Sequence, residues 1–498
     1  MKLESVIGLE IHVQLKTKSK MFCSCDNQSE GVAPNTNICP VCTGQPGTLP
    51  VLNDSALRWG IKTAMALNCM IPSKTKFDRK NYFYPDLPKG YQISQYDMPI
   101  AQNGFFIINV GEKKIKVGII RAHLEEDAAK LVHPVGSKHS SVDFNRSGTP
   151  LLEIVSEPDL REPHEAYVFL KELRLLMRYL DVSDADMEKG HLRCDANISL
   201  RPEGDVKLFS KTEIKNLNSF RSVEQALAYE IKRQTKLWSA KKIPKFETTR
   251  GWDEKKLETV EQRSKEGEAD YRYFPEPDIP PIDLSKDLIE RIKARLPELP
   301  AQRRIRFKDN YALNDKEIDF IINHKELADF VEGVISELRA WFLAEKPKER
   351  GKEFYEQRDK ITHLAASWII NKLIKLIYDS KTTIEETKIT QENFAEFIKL
   401  IWEERINSRN AQEVLKVMFD SGKDPSDIIE EKDLWQLGTT EDIEAVAEKV
   451  IMENPIPVKQ YKEGKIETLQ FLIGQVMKAT RGRANPDVVN HVLIHKLK

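Results

Sequence analysis

The 498-residue sequence has no long apolar run. Phe105–Val110 is typical of its longest, against the about 18–20 consecutive apolar residues that a helix needs to cross a bilayer. It has no excess of one charge either. Lys and Arg number 77 against 78 Asp and Glu, a formal net charge of -1, which excludes a histone-like basic protein and confines any nucleic-acid contact to local patches. The opening MKLESVIGLE lacks the apolar core of a secretory signal. There is no Gly-x4-Gly-Lys-Ser/Thr loop, no protein-kinase loop set and no dinucleotide-binding glycine fingerprint, so a nucleotide site, if there is one, is of another kind. With 40% hydrophobic and 31% charged residues the composition is that of a folded chain. Its length suggests about three domains. The expectation is a soluble cytoplasmic protein with no membrane contact.

Cysteine is scarce, but its placement is informative. Four of the six cysteines fall within twenty residues, as Cys23-x-Cys25 and, thirteen residues on, Cys39-Pro-Val-Cys42. In a reducing compartment such spacing favours a metal over disulfides. Two short-spaced pairs supply four thiolates to tetrahedral Zn²⁺, and with no fifth ligand nearby the site reads as closed and structural; the alternative is four unliganded small core residues. Cys69 and Cys194 stand alone in apolar surroundings and read as core.

Punctuation is uneven along the chain. The first 300 residues hold 20 of the 25 prolines and 15 of the 22 glycines, a density that points to short strands and turns, whereas its scarcity afterwards points to helices. Pro275-Glu-Pro-Asp-Ile-Pro-Pro281 reads as a linker, and Pro297 and Pro300 follow it. Beyond, Thr390 is placed to cap a helix in which Phe394, Phe397, Ile398, Ile401 and Trp402 recur at helical spacing, preceded by a similar pattern over Ser367–Tyr378. The pattern breaks at Ser421-Gly-Lys-Asp-Pro425. A block of short helices from about 430 has turns at Asn454-Pro-Ile-Pro457 and Asn485-Pro486.

The strands carry the chemistry. In Val6–Leu15, alternation sets Leu9, Ile11, Val13 and Leu15 on one face and Glu10, His12 and Gln14 on the other. Arg121, His123 and Glu125 oppose Ile120, Ala122 and Leu124; Arg193, Asp195, Asn197 and Ser199 oppose Cys194, Ala196, Ile198 and Leu200; Glu153 and Glu157 share a face. Each strand alone fits the wet face of an antiparallel sheet. Four strands rich in carboxylate, imidazole and guanidinium instead suit a hard cation beside phosphate, hence metal-assisted phosphoryl transfer, although spacing alone does not make the strands converge. The loop from Lys80 to Asp86, with Lys89-Gly-Tyr-Gln92, combines lysines and aromatics and suits a nucleotide or an unstacked RNA 3′ end. Asp143–Pro150 is a polar turn leading into the Glu153 strand.

Gly8-Leu-Glu-Ile-His-Val-Gln-Leu15, the paired cysteines, Arg79-Lys-Asn-Tyr-Phe-Tyr-Pro-Asp86, Leu124-Glu-Glu-Asp127, Asp143–Ile154, Leu192–Ser199 and Asp270-Tyr-Arg-Tyr-Phe-Pro-Glu-Pro-Asp278 together resemble the B subunits of the bacterial aspartyl/glutamyl-tRNA amidotransferases, in order from residue 5 to the C-terminus. The resemblance implies an α+β fold: a β-rich antiparallel cradle with a kinase-like site and a zinc knuckle (1–293), an all-helical domain (294–425) and a small YqeY-like tail that touches tRNA (426–498). It implies an ATP-dependent ligase that phosphorylates the side-chain carboxylate of misacylated Glu-tRNA(Gln) or Asp-tRNA(Asn) and displaces the phosphate with ammonia. That ammonia comes from a glutaminase A subunit, a small C subunit clasps the two, and a cognate aminoacyl-tRNA synthetase is a further partner the family allows. Carried over by motif, Glu10, His12, Glu125 and Glu153 hold Mg²⁺. Lys80 and Lys89 belong to the active-site region, Arg193, Asp195, Asn197, Asn145 and Arg146 to the nucleotide pocket, and Cys23, Cys25, Cys39 and Cys42 to an architectural zinc. Read from the residues themselves, Lys478, Arg481 and Arg483 in the tail, with Lys496 and Lys498, make a modest basic patch that suits RNA phosphates or is an ordinary solvated helix face.

Three rival readings compete with this one. About twenty residues between Asp278 and Pro300 leave no room for the large insertion of the archaeal relative. A self-sufficient glutamine amidotransferase needs a glutaminase that the sequence lacks. A non-catalytic zinc-containing tRNA scaffold remains the alternative, and the acidic cluster discriminates against it.

Overall fold

Alternating apolar and polar residues give the first strand, Leu3–Gln14, two unlike faces, and that difference organises the first 300 residues. The computed structural model describes residues 2–134, 136–264, 271–311, 313–345, 349–436, 440–480 and 482–497. Among these, eight strands form one sheet in the order Glu258–Ser264, Thr248–Asp253, Thr212–Lys215, Leu192–Pro202, Leu3–Gln14, Pro150–Ser156, Lys113–Glu126, Ala101–Val110. Neighbours are antiparallel except Thr212–Lys215 with Thr248–Asp253. The first strand is therefore central, bonded on both sides to segments far along the chain.

Its inward residues Ile7, Leu9, Ile11 and Val13 join Ile119, Ala122, Leu124, Ile154, Ala196 and Ile198 in one core. Helices Asp54–Ala66, Pro163–Tyr179 and Phe220–Ser239 supply Leu57 and Ile61, Phe169 and Leu173, and Val223 and Leu227 to it. Each such side chain contributes about 1.5–3 kcal/mol on burial. The helix starts are written in the sequence: Asn53 and Ser219 accept backbone N–H groups as caps, and Glu162 with Glu165 forms a reciprocal capping box. With helices covering the apolar face, Glu10, His12 and Glu153 are left on the other.

One strand departs from simple alternation. Val117 and Ile119 are buried, Ile120 is 40% exposed, and Ala122 and Leu124 are buried again, because the register against Pro150–Ser156 shifts between Ile119 and Arg121. Ile120 is the extra residue of a β-bulge, not a member of the Ala122–Leu124 face. The bulge reverses parity, so that His123 and Glu125 face the polar side while the core stays continuous.

The proline-rich segment is not a free linker. Phe274–Pro275 pairs with Asp78–Arg79, and Ile282–Asp283 pairs with Lys74–Thr75. Glu276, 3% exposed, accepts two hydrogen bonds from Arg79 at 2.7 and 2.9 Å. Proline removes donors and favours extended backbone, which reads locally as a linker but also suits short edge strands.

Contacts divide the chain into two compact units, Met1–Pro300 and Ala301–Lys498. The second is helical throughout its described elements. Thr390 caps helix Gln391–Trp402 by accepting from Asn393, and Phe394, Phe397 and Ile398 are buried. Helix Ser408–Ser421 ends on Gly422 in the left-handed region (φ 74°), and Asp424 and Pro425 start the next helix. Asn454 and Asn485 precede prolines that open helices Pro455–Lys462 and Pro486–Leu497, so both expected turns are helix starts. Ile443, Ala447, Leu472, Val476, Val489 and Leu493 form a core within the last helices. Among the described residues no helix is long and apolar enough to cross a membrane.

Candidate active site

Register brings the polar faces together. Across the sheet Arg193 stands opposite His12, His12 opposite Glu153 and Glu153 opposite His123, so four adjacent strands contribute one row of side chains to one face. Two residues along, on the same face, Asp195 stands opposite Glu10. These residues form the floor of a cavity of about 670 Å³. Glu125 completes the floor, and Lys80, Tyr82, Arg121, Asp127, Lys215, Tyr271 and Tyr273 stand around it.

The carboxylates and imidazoles are in near contact. His12 Nε2 lies 3.3 Å from Glu153 Oε2 and 3.7 Å from Glu125 Oε1; His123 Nε2 lies 3.3 Å from Glu153 Oε2 and 3.8 Å from Glu125 Oε2. Two sets, Glu10–His12–Glu153 and His123–Glu125–Glu153, each have ligand atoms within 4.8 Å of one another. Burial raises the Glu10 pKa, the Glu153 charge adds to the rise, and His12 and Lys215 counter it. Burial alone also penalises the charged forms of Glu153 and Glu125, but His123 and its neighbours hold both below the usual range. Burial depresses His123, yet the charge and hydrogen bonds of Glu153 and Glu125 lift it to about 9. Mutually repelling carboxylates with imidazole nitrogens are the donor set of a divalent cation, and oxygen-rich ligation suits Mg²⁺. The residues fit that group.

Basic side chains share the cavity: Lys80, Arg121, Arg193 and Lys215 line it too. Burial works against the Lys80 ammonium, but the Glu125 and Glu153 charges hold its pKa above the ordinary lysine value, so it stays cationic; its Nζ also lies 5.2 Å from the Tyr271 ring centroid. Lys215 Nζ donates to Asp195 at 2.7 Å and lies 3.1 Å from Glu213. Asn216, Leu217 and Asn218 line the cavity next to it, immediately before helix Phe220–Ser239. Arg193 pairs with Asp127 at 2.8 Å while its Nε, buried, has no partner.

Of the residues that the sequence nominates, Glu10, His12, Glu125, Glu153, Lys80, Arg193 and Asp195 line this cavity; Lys89, Asn197, Asn145 and Arg146 are not among its lining residues. Lys89 pairs with Glu126. Asn197 stands opposite Glu213 in the sheet. Asn145, fully buried, accepts the N–H groups of Thr36 and Asn37 and donates to Ala33 O. Arg146 donates to the carbonyls of Ala128 and Ala129 and lies 3.6 Å from Asp127. The sequence puts His123 on one strand face with Glu125 but not among the nominated metal ligands, and Asp127 and Lys215 were not nominated for the site. Lys215 was recoverable, since it is two residues from Glu213, the same period that exposed Glu10 and His12.

The four clustered cysteines also meet, their sulfurs all within 4.8 Å of one another. A hydrogen bond from the Cys23 thiol lowers the Cys42 pKa against the effect of burial, with the Cys39 N–H and the nearby Lys20 charge acting in the same direction. Four sulfurs at this spacing fit tetrahedral zinc. In the tail, Lys478 is exposed, Arg483 pairs with Asp433 at 2.6 Å and Lys496 with Glu448 at 2.7 Å; Arg481 and Lys498 lie outside the described residues.

Residues 5–290 match the GatB/GatE catalytic domain and residues 352–497 the GatB domain. The chain is 46% identical over 498 residues to the B subunit of the aspartyl/glutamyl-tRNA(Asn/Gln) amidotransferase of Carboxydothermus hydrogenoformans, covering 99% of this chain and 98% of that one. To the protein of the same name from Persephonella marina it is also 46% identical, covering all of both chains. To that of Clostridium beijerinckii it is 45% identical over 100% of this chain and 99% of the other.

Proposed function

This chain belongs to the B-subunit family of the aspartyl/glutamyl-tRNA(Asn/Gln) amidotransferases, and from that membership we propose that it works as the transamidating subunit of a glutamine-dependent ligase. In this reading it binds misacylated Glu-tRNA(Gln) or Asp-tRNA(Asn) in the cytoplasm, activates the side-chain carboxylate with ATP, and joins it to ammonia from a glutaminase A subunit held with a small C subunit. The observation that carries the reading is the acidic and imidazole cluster of Glu10, His12, His123, Glu125 and Glu153 in one cavity with Lys80, Arg193 and Lys215.

A carboxylate resists ammonia because its leaving group would be oxide. Attack by a carboxylate oxygen on the γ-phosphorus of ATP, with cleavage of the bond to ADP, gives an acyl phosphate. Ammonia then adds to the acyl carbon and phosphate leaves, the surplus proton passing to a cavity base. A Mg²⁺ ion held by Glu10, His12, Glu125 and Glu153, with His123 beside them, would neutralise charge building on the transferred phosphoryl group. Lys80 and Lys215 stay cationic and line the same cavity, so they would supply counter-charge to phosphate oxygens, and the stretch 216–218 before a helix N-terminus suits the same anion. Asp127 orients Arg193 by its ion pair and is itself held by Gln14 at 2.9 Å. Arg146 holds the cavity-lining Ala128 by its carbonyl, Asn145 ties down the loop between the cysteine pairs, and the cysteine cluster would carry a structural zinc.

Purified A, B and C subunits supplied with Glu-tRNA and Asp-tRNA separately, plus ATP and glutamine, test the reading. Amide formation on either RNA with one ATP cleaved per amide is the expected result. RNA binding without ATP cleavage would favour the scaffold alternative.

A further inference from the structure

Lys20 has no exposed surface. Its ammonium nitrogen faces three acceptors: the carbonyl oxygen of Asn37 at 2.7 Å, that of Phe144 at 3.3 Å and the sulfur of Cys42 at 3.7 Å. Three acceptors match the three N–H donors of an ammonium. A buried ammonium is strongly unfavourable without an anion. The two carbonyls carry no formal charge; the Cys42 sulfur is the acceptor that can. It already receives the Cys39 N–H at 3.2 Å. Four thiolates around one divalent ion leave two negative charges in a partly buried place, and one cation in contact with them halves the excess.

We propose that Lys20 is the resident counter-cation of the four-cysteine metal cluster, and that it ties the cluster's charge to the turn entering the Glu153 strand. By donating to Cys42 it withdraws electron density from that sulfur and lowers its reactivity toward protons and oxidants. By donating to Phe144 it fixes the turn Asp143–Pro150 on the knuckle. Other bonds reinforce the same junction: Ser147 donates to Cys42 O at 3.0 Å, Met21 N–H to Gly148 O at 2.7 Å, and Gly148 N–H to Asp127 O at 2.9 Å. Gly148 sits at φ 85°, with Cys42 and the Lys20 stem against the place a Cβ would take, so the contact is close on both sides. The knuckle thus reaches Asp127, and through it Arg193, by a short chain of direct bonds. Partners outside the inner ligand shell that orient and tune metal ligands contribute about 10–100-fold in metal affinity.

This inference rests on the zinc reading of the four cysteines, and the test separates the two. Full-length wild-type, K20M, K20Q and K20R chains are loaded with zinc, treated with a fixed dose of hydrogen peroxide, and followed by a chromogenic zinc chelator; cobalt-loaded samples are compared by their thiolate-to-cobalt absorption bands. K20M and K20Q should release zinc about 10-fold faster or more and shift the cobalt bands, while K20R stays near wild type. Failure of K20M and K20Q to fold beside a folded, zinc-loaded K20R supports the charge role equally. Equal release in all folded variants, or loss of folding in K20R as well, overturns it, because shape rather than charge would then be the requirement. A wild-type chain that takes up no zinc removes the metal reading itself.

Discussion

His123 Nε2 stands 3.3 Å from Glu153 Oε2, both side chains almost entirely buried, and each keeps the other ionised. Burial opposes the His123 charge, but Glu153 and Glu125 lift its pKa from 6.5 to about 9. A cation bound by the same carboxylates must therefore displace a proton near neutral pH. Mg²⁺ or Mn²⁺ affinity should rise with pH by up to about ten-fold per unit for one proton lost, flattening above about 9. The metal-free fold shows the opposite trend: the His123 proton stabilises it fully below about pH 6.5, and that contribution is lost as pH climbs through about 9. Calorimetry in buffers of different ionisation enthalpy counts the proton. Binding with no proton release at pH 7.5 would refute the coupling.

Glu125 lies between Ser94, which donates to it at 3.2 Å, and the two histidines. Glu125→Gln keeps the shape and removes one charge. Amide formation on Glu-tRNA should fall by at least about 100-fold, in line with several kcal/mol of charge stabilisation by a bound cation, while RNA affinity in a filter-binding assay is retained. Full turnover in the variant would remove Glu125 from the metal site.

The sequence made the strand faces legible and their meeting illegible, for one physical reason. Period-two alternation is local, so Glu10 and His12 declared their side of the strand at once. That His12 would stand opposite both Arg193 and Glu153 depends on antiparallel pairing across more than a hundred residues, which no local pattern encodes. The bulge at Ile120 was hidden for the same reason, since it is defined only against Pro150–Ser156. Pro275–Pro281 misled because proline reports backbone preference, not partner, and the partner here is Arg79. Helix caps such as Thr390 and Asn53 were readable or recoverable because donor and acceptor are three residues apart.

Four sulfurs within 4.8 Å give a direct elemental prediction. Purified full-length protein should contain about one zinc per chain by mass spectrometry of the metal, and a strong chelator should lower its thermal midpoint, since structural zinc contributes folding energy. A metal-free sample with an unchanged midpoint would show that the cysteines pack without an ion.

The last helices enclose a core of their own, with Ile443, Leu472, Val476 and Leu493 buried in it, so a chain cut after Gln436 should leave the strand-built cavity intact. RNA affinity should weaken, and weaken less at high salt because the lost contacts are ionic; ATP cleavage at saturating RNA should be unaltered. Exposed Lys478 offers the single-residue version: Lys478→Glu should lower affinity in the same salt-dependent way. Unchanged affinity in both would place the RNA contacts elsewhere.

Phe83 is 92% exposed, although the loop that carries it sends Lys80 and Tyr82 to the cavity. Its ring lies over Gly90, where a Cβ would stand 3.1 Å away and φ is 76°, so the glycine lets the loop hold the ring out at this angle. If an aminoacyl ester reaches the acidic cluster, its terminal base is unpaired with a free face, and an exposed ring on a loop that also lines the cavity offers that face a surface. Stacking of that base on Phe83 is worth about 1–3 kcal/mol, so Phe83→Ala should raise KM for Glu-tRNA about 5–100-fold with kcat little changed. Phe83→Trp should restore affinity and lose fluorescence when the aminoacylated RNA binds. An unaltered KM in the alanine variant, or a tryptophan signal indifferent to RNA, would leave the ring without a role in substrate binding.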